Sequence, residues 1–160
     1  MPVVVRPWRP ADDRPALLAL NAELQEHERA LRPSRVPGAE MTEAYVAELE
    51  RRLAGGADEG ALFVAEDGDG AVVGFAACFL DKDVLEVDPA EVRIEDLAVA
   101  AGVRRRGIGR ALVEAALGFA RERQVRRVVI AALVVNEDAL ATYRALGFRP
   151  LYTRLEREAG

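Results

Sequence analysis

Cysteine, histidine and lysine each occur only once in this sequence, as Cys78, His27 and Lys82. A single cysteine cannot form a disulfide within the chain, so a reducing compartment is favoured. No group of histidine, cysteine and acidic residues has the spacing of metal ligands, and we expect no metal. No apolar run approaches the roughly 20 residues of a membrane span, and the N-terminus lacks the apolar core of a signal peptide. We therefore expect a cytoplasmic protein without a membrane partner.

The sequence also lacks an excess of basic charge. Its net charge is −5 at pH 7, whereas a nucleic-acid-binding protein needs a basic surface for phosphate contacts. We expect no nucleic-acid partner, although an acidic surface would attract a cationic substrate. With 160 residues, 51% of them hydrophobic and 31% charged, the chain is predicted to form one globular domain over residues 1–160.

The hydrophobic pattern predicts strands and helices in a three-layer α/β domain. The predicted strands cover residues 3–5, 61–66, 72–80, 92–99, 128–135 and 148–155, and helices begin near residues 12, 42, 109 and 137. The segment Asp67–Gly70 has the composition of a hairpin turn. Asn136 is a predicted helix N-cap, with acidic residues in the first turn that follows. The nearly continuous apolar run 128–135 is typical of a strand covered on both faces.

The strand at residues 92–99 does not alternate regularly. Ile94 falls on one face, and Leu97 and Val99 fall on the other, so the apolar side switches near Glu95–Asp96. One extra residue in the strand, a β-bulge, would produce this switch, and bulges are frequent beside active sites. An irregular strand pattern without a bulge explains the switch equally well.

The segment Arg104–Gly109 (RRRGIG) lies between a predicted strand and a predicted helix. The first turn of a helix has unpaired N–H groups that can hold a phosphate, and glycines at 107 and 109 let it approach the backbone. The three arginines add charge and hydrogen-bond donors. A P-loop is excluded because no Lys-Ser/Thr pair follows Gly109, and Leu112 excludes a dinucleotide fingerprint. A solvated basic helix start is the alternative interpretation.

The pattern Arg104-x-x-Gly107-x-Gly109 after the strand Glu95–Val99 resembles the acetyl-CoA motif of the GCN5-related N-acetyltransferases (GNAT). Asn136-x-x-Ala139-x-x-x-Tyr143-x-x-x-Gly147–Phe148 resembles the closing helix of the same family. The resemblance covers almost the whole chain. It implies a three-layer α/β/α GNAT-like fold with a mixed, mostly antiparallel sheet and a bulged central strand. It also implies acetyl-CoA as co-substrate.

The resemblance further implies which residues bind acetyl-CoA. The backbone of residues 97–99 would pair with the pantetheine arm, and the Leu97 N–H would be an oxyanion donor. Amides from about 105 to 110 would bind the pyrophosphate, and Asn136 would contact the pantetheine arm. The predicted cofactor-binding residues are Leu97, Ala98, Val99, Arg104, Arg105, Arg106, Gly107, Ile108, Gly109, Arg110, Asn136, Ala139 and Tyr143.

Two residues are candidates for proton transfer. Tyr143 is the candidate general acid for the departing thiolate, although core packing is the alternative from the residues alone. Glu95 is the candidate base for the acceptor amine, and Glu95–Asp96–Leu97 resembles the polyamine acetyltransferase branch in particular. A solvent-facing residue, or an ion-pair partner of Arg93, is the other interpretation of Glu95. Asp96 is less expected as the base, because adjacent side chains of a strand point to opposite faces.

Two further residues are candidates from their surroundings. His27 falls on the apolar side of the first predicted helix, and the family's first two helices frame the acceptor site, so His27 is a candidate substrate residue together with Glu95. A histidine packed at the core edge is the interpretation that the residues alone favour. Cys78 lies within an apolar strand and is expected to pack there.

The predicted function is acetyl transfer from acetyl-CoA to a primary amine of a small molecule or peptide, by direct attack in a ternary complex. A non-catalytic acyl-CoA-binding or sensor module on the same fold is the alternative. The presence of both Tyr143 and Glu95 favours the enzyme. Six acidic residues, Glu23, Glu26, Glu28, Asp81, Asp83 and Glu86, are compatible with a cationic acceptor or with ordinary solvated faces. The sequence does not choose the amine, and a homodimer stays open.

Overall fold

The computed structural model describes residues 2–55 and 59–160. Its strands are β1 (Val4–Pro7), β2 (Gly60–Glu66), β3 (Val72–Lys82), β4 (Ala90–Val99) and β5 (Arg127–Ile130). Its helices are α1 (Pro10–Leu31), α2 (Gly38–Ala54), α3 (Ile108–Glu122) and α4 (Glu137–Ala145), and a single 3-10 turn covers Ala101–Val103. The predicted order of elements is confirmed as far as α4.

The five strands form one mixed sheet in the order β1-β2-β3-β4-β5. The first three pairs are antiparallel, and β4–β5 is parallel. Apolar residues of α1 and α2 pack on one face of the sheet, around Phe75 and Phe79. Residues of α3 pack on the other face, around Ile94 and Leu112. The predicted three-layer α/β/α arrangement with a mostly antiparallel sheet is therefore confirmed.

The hairpin between β2 and β3 is held by the side chain of Asp67. Its Oδ1 accepts hydrogen bonds from the backbone N–H of Asp69 at 3.0 Å and of Ala71 at 2.9 Å. Gly70 has φ +82°, a conformation that glycine adopts without steric cost. The residues that predicted a turn thus form it through their own local chemistry.

The register between β3 and β4 changes in the middle of both strands. Ala77 lies opposite Asp96, whereas the next residue, Cys78, lies opposite Ile94. Glu95 is therefore the one extra residue on β4. The predicted β-bulge is confirmed, and it lies where the apolar pattern changes face.

The C-terminal part departs from the prediction. Strand β5 ends at Ile130, and Val134 and Val135 are exposed, so the run 128–135 is not one strand covered on both faces. Residues 148–155 were predicted as a closing strand, but they form no strand, and every residue from 149 to 160 is exposed. Helix α4 buries no residue fully. An apolar segment becomes a strand only where a partner strand hydrogen-bonds to it, and the sequence pattern alone does not supply that partner.

Candidate active site

A free strand edge beside β4 is the first component of the site. Parallel pairing between β4 and β5 ends at Ile94–Ile130, whereas β4 continues to Val99 with β3 on its other side. Among the described residues, no strand pairs with the β5-facing edge of Glu95–Val99. Extended ligands bind such edges by adding main-chain hydrogen bonds, as an extra strand would. The edge fits the predicted pairing of residues 97–99 with an extended arm.

The start of α3 is the second component. Gly107 is the N-cap residue, with φ +80°, and Ile108 is buried against the sheet, which fixes the helix in place. A Cβ added at Gly109 would meet only the Val99 Cγ2, at 4.0 Å. The first-turn amides can therefore be approached without a side chain in the way, as an anion-binding helix start requires. Packing does not demand the glycine at 109, which fits a role in binding.

The arginines of this turn have different surroundings. The Arg104 Nε donates to the Val99 carbonyl at 3.0 Å, and its Nη2 donates to Glu23 of α1 at 3.2 Å. Arg105, with φ +63°, and Arg106 are exposed. The sequence predicted three arginines that bind phosphate, but it did not anticipate the contact between Arg104 and α1.

The bulge in β4 turns two consecutive carboxylates toward α2. Glu95 pairs with Arg52, with oxygen–nitrogen distances of 2.6 and 3.1 Å. Asp96 accepts a 2.7 Å hydrogen bond from the hydroxyl of Tyr45. The expectation that Asp96 points away from Glu95 was wrong, because strand alternation breaks at the extra residue. The ion-pair interpretation of Glu95 was right in kind, but the partner is Arg52 and not Arg93.

Asp96 is the most perturbed acid of the site. It is 6% exposed, and burial raises its pKa to about 6, with the charges of Glu95 and Glu28 adding to the rise. The Tyr45 hydrogen bond and the charge of Arg52 oppose that rise. Burial and the neighbouring Asp96 charge hold the pKa of Tyr45 well above its usual value, so the phenol is a donor at neutral pH. Because a carboxyl with a pKa near 6 is mostly ionised at pH 7, Asp96 can accept a proton there.

Tyr143 lies on α4, and its ring packs edge-on against Phe148 with centroids 6.0 Å apart. Burial, and secondarily the charge of Glu28, raise the pKa of Tyr143 to about 12. The phenol is therefore protonated at neutral pH, as a general acid must be. The charge of Glu28 on α1 raises the pKa of both Asp96 and Tyr143. Tyr45 was not predicted as a site residue, although a tyrosine on the buried side of α2 was an available signal. Glu28 was named only as one of six acidic residues compatible with a cationic acceptor.

Asn136 has the predicted capping role. Its Oδ1 accepts from the Ala139 N–H at 3.2 Å, in the first turn of α4. The N-cap prediction is confirmed. The contact of Asn136 with a pantetheine arm stays a prediction.

Two further candidates are placed by the structure. Cys78 is fully buried in the α3-side core, and burial raises the pKa of its thiol to about 11, which confirms the packing role. His27 is exposed, so the core-edge interpretation was wrong. Among the described residues, Leu24 is the last residue of α1 that packs against the core cluster, and His27 lies beyond it. A substrate role of His27 stays a prediction.

The described residues contain neither a metal-binding cluster nor a membrane-spanning helix. No three His, Cys, Asp or Glu side chains among residues 2–55 and 59–160 are grouped as a metal site would require. In the same residues, no helix combines the length and apolar character needed to cross a bilayer.

The comparisons with known proteins agree with this geometry. The family model of the acetyltransferase (GNAT) family matches residues 21–148. The chain belongs to this family. Streptothricin acetyltransferase from Streptomyces lavendulae is 40% identical over 86 residues, which are 54% of this chain and 43% of that relative. The GNAT chain spans about two fifths of the length of the curated relatives that it matches.

Solved structures extend the likeness to the whole GNAT chain. A tetramutant of the BH1408 protein from Bacillus halodurans has a TM-score of 0.79 and 20% identity, covering 97% of this chain and 99% of that one. An aminoglycoside acetyltransferase from an uncultured soil metagenomic sample has a TM-score of 0.69 and 26% identity, covering 100% of both chains. The first likeness shows the fold alone.

Proposed function

We propose that this GNAT protein is an N-acetyltransferase that transfers an acetyl group from acetyl-CoA to a primary amine within a ternary complex. One observation carries the proposal: the free edge of β4 at Glu95–Val99 leads directly into the open helix start at Gly107–Gly109. A strand edge followed by an anion site suits a ligand with an extended polar arm and a pyrophosphate. The acetyltransferase relatives support the same chemistry.

Residues of the β4 edge, of the α3 start and of the α4 start bind different parts of acetyl-CoA. Backbone groups of residues 97–99 hold the pantetheine arm, and amides of residues 105–110 hold the pyrophosphate. The side-chain NH₂ of Asn136, whose Oδ1 caps α4, is a donor toward the arm. Acetyl-CoA supplies an activated acyl group on sulfur, and the Leu97 N–H stabilises negative charge that develops on the acyl oxygen.

Proton transfers complete the reaction. The acceptor arrives as an ammonium, and Asp96 takes its proton, directly or through a water, so that the amine nitrogen can attack. The nitrogen–carbon bond forms and the carbon–sulfur bond breaks, and the Tyr143 hydroxyl gives its proton to the sulfur. The second proton that the nitrogen loses restores the Tyr143 hydroxyl, directly or through a water. Asp96 is preferred to Glu95 as the base because the Glu95 carboxylate is engaged with Arg52 on both oxygens. Glu95 then orients Arg52 and adds negative charge to the acceptor side.

Substrate charge follows from the acids of the site. The negative charges of Glu28 on α1 and Glu95 on β4 both act on Asp96. Their charge favours a cationic acceptor over a neutral or anionic one. Streptothricin and aminoglycosides, named for two of the relatives, are therefore useful members of a test panel.

The test is release of free thiol from acetyl-CoA with a panel of polyamines, amino acids, aminoglycosides, streptothricin and peptides. We expect thiol release that requires an amine, fastest with a multiply charged one. Initial rates with both substrates varied should give intersecting lines, as a ternary complex does, and not the parallel lines of a ping-pong mechanism. CoA binding without turnover of any amine would instead support the acyl-CoA-binding or sensor module.

A further inference from the structure

Glu23 of α1 contacts the chain between β4 and α3 at two points. Its Oε1 accepts from the Ala101 N–H at 2.8 Å and from the Arg104 Nη2 at 3.2 Å. Arg104 in turn donates from Nε to the Val99 carbonyl at 3.0 Å. One carboxylate and one guanidinium thus fix the path of residues 99–104 relative to α1.

This path determines where the cofactor turn lies. The Ala100 N–H bonds to the Val73 carbonyl at 2.9 Å, and the Val103 N–H bonds to the Ala100 carbonyl at 3.1 Å. Those contacts secure the beginning and middle of the segment. Its end, just before the αL residues Arg105 and Gly107, is held by the side chain of Arg104. A movement at Arg104 would displace the amides that begin α3.

The exposure of Glu23 and Arg104 indicates that their contact positions the turn and contributes little to the stability of the fold. The side chains of Glu23 and Arg104 are 41% and 44% exposed. Exposed ion pairs contribute little to folding, so loss of this pair should change the stability of the fold little. An anion site made of backbone amides depends on their direction, and small displacements weaken it.

We propose that Glu23 is a positioning residue for the acetyl-CoA phosphate turn, acting through Arg104 and the Ala101 amide. In this arrangement the Arg104 side chain serves binding by holding the turn, and not by direct contact with a phosphate. The inference rests on the proposed function, because it assumes that the turn binds the phosphates of CoA. It assigns a role in cofactor binding to a residue of α1.

Glu23→Ala and Glu23→Gln test the role, with CoA titrated into the full chain by calorimetry. Glu23→Ala should weaken CoA binding about tenfold and raise the acetyl-CoA KM to match, with kcat and the amine KM unchanged. Glu23→Gln should lie between, because its amide oxygen still accepts from the Ala101 N–H while the charge opposite Arg104 is lost. Glu43→Ala is the matched control, since it removes a glutamate that pairs at 2.6 Å with Arg14 away from the turn. It should bind CoA within twofold of wild type.

A double-mutant cycle tests whether Arg104 acts through Glu23. If it does, Glu23→Ala with Arg104→Ala should weaken CoA binding by clearly less than the two single losses combined, because both single substitutions remove the Glu23–Arg104 contact. Fully additive losses would mean that Arg104 contacts the phosphate itself, and would overturn the proposal.

A measurement without CoA completes the test. Hydrogen exchange of the Ala101 amide in the ligand-free protein should be faster in Glu23→Ala than in Glu43→Ala or wild type. Exchange at the wild-type rate, or CoA binding of Glu23→Ala within twofold of wild type, would overturn the role of Glu23 alone. A wild-type chain that does not bind CoA would overturn the proposed function, and the cofactor role of Glu23 with it.

Discussion

The hydroxyl of Tyr45 on α2 donates a 2.7 Å hydrogen bond to the carboxylate of Asp96 on β4. The contact exists because the extra residue Glu95 turns Asp96 to the α2 side of the sheet. Burial raises the pKa of Asp96 to about 6, and the Tyr45 hydroxyl limits the rise by stabilising the charged form. The pair thus keeps a buried carboxylate able to take up a proton near neutral pH.

Removing the Tyr45 hydroxyl should change the pH dependence of catalysis. Tyr45→Phe removes a donor that favours ionised Asp96, so the pKa of Asp96 should rise. The acid limb of the kcat/KM profile should then move to higher pH, with the alkaline limb unchanged. Tyr152→Phe, at an exposed tyrosine of the C-terminal segment, is the control and should leave the profile as it is. If the acid limb of Tyr45→Phe stays at its wild-type pH, Asp96 is not the group whose ionisation produces that limb.

Asp96→Asn and Glu95→Gln should have different kinetic effects. Asp96→Asn removes the proposed base, so turnover at pH 7 should fall by about 10²–10⁴-fold. It should partly recover as pH rises, because the solution then supplies free amine. Glu95→Gln weakens the contact with Arg52 and should raise the amine KM, with a smaller loss of kcat. The reverse pattern, with the larger and pH-rescued loss in Glu95→Gln, would make Glu95 the base, as the sequence alone suggested.

Asp96 should also make folding stability depend on pH. Its pKa is raised on folding to about 6, so the native state is favoured while Asp96 is protonated, and this contribution is lost as pH rises through about 6. Asp96→Asn mimics the protonated form and should raise the free energy of unfolding at pH 8 by about 2–3 kcal/mol at most. At pH 4 the substitution should have little effect. Denaturant unfolding at both pH values measures this, with exposed Asp12→Asn as control. Equal effects of Asp96→Asn at both pH values would contradict the raised pKa.

Tyr143→Phe separates proton donation from packing. The ring that packs against Phe148 is kept, and only the hydroxyl is removed. If Tyr143 protonates the sulfur, kcat should fall by about 10²–10⁴-fold while CoA affinity and thermal stability change little. Tyr152→Phe again serves as control. Wild-type turnover in Tyr143→Phe would assign the proton to water and leave Tyr143 a structural role.

Gly109→Glu should abolish CoA binding without unfolding the protein. A Cβ at residue 109 meets only Val99 at 4.0 Å, so the helix tolerates a side chain. The added carboxylate would lie where the pyrophosphate is proposed to bind and would repel it. Gly118→Glu adds the same group farther along α3, where the nearest atom is an Arg121 nitrogen at 4.0 Å. In a thermal-shift titration, CoA should therefore raise the melting temperature of Gly118→Glu and leave that of Gly109→Glu unchanged. A CoA response in Gly109→Glu equal to that of wild type would disprove the position of the phosphate turn.

Local sequence signals predicted much of this fold correctly. The Asp67 turn, the Asn136 cap and the glycine start of α3 depend on residues a few positions apart. The bulge could be predicted too, because an extra residue leaves a break in the alternation of one strand. The family motifs also predicted the site beside β4 from local sequence, because the strand, the turn and the start of α3 follow one another directly in the chain.

The arrangement of the charged groups was decided only by tertiary structure. Tyr45 and Asp96 are 51 positions apart, and Glu23 and Arg104 are 81 positions apart. Whether such side chains meet depends on how helices cross the sheet, which no local pattern records. The same limit explains why the closing strand predicted at 148–155 does not form, because a strand requires a partner strand as well as apolar residues. The sequence by itself determined most of the elements and the turn beside β4; packing determined which carboxylate is buried, and the proposed choice of base rests on that burial.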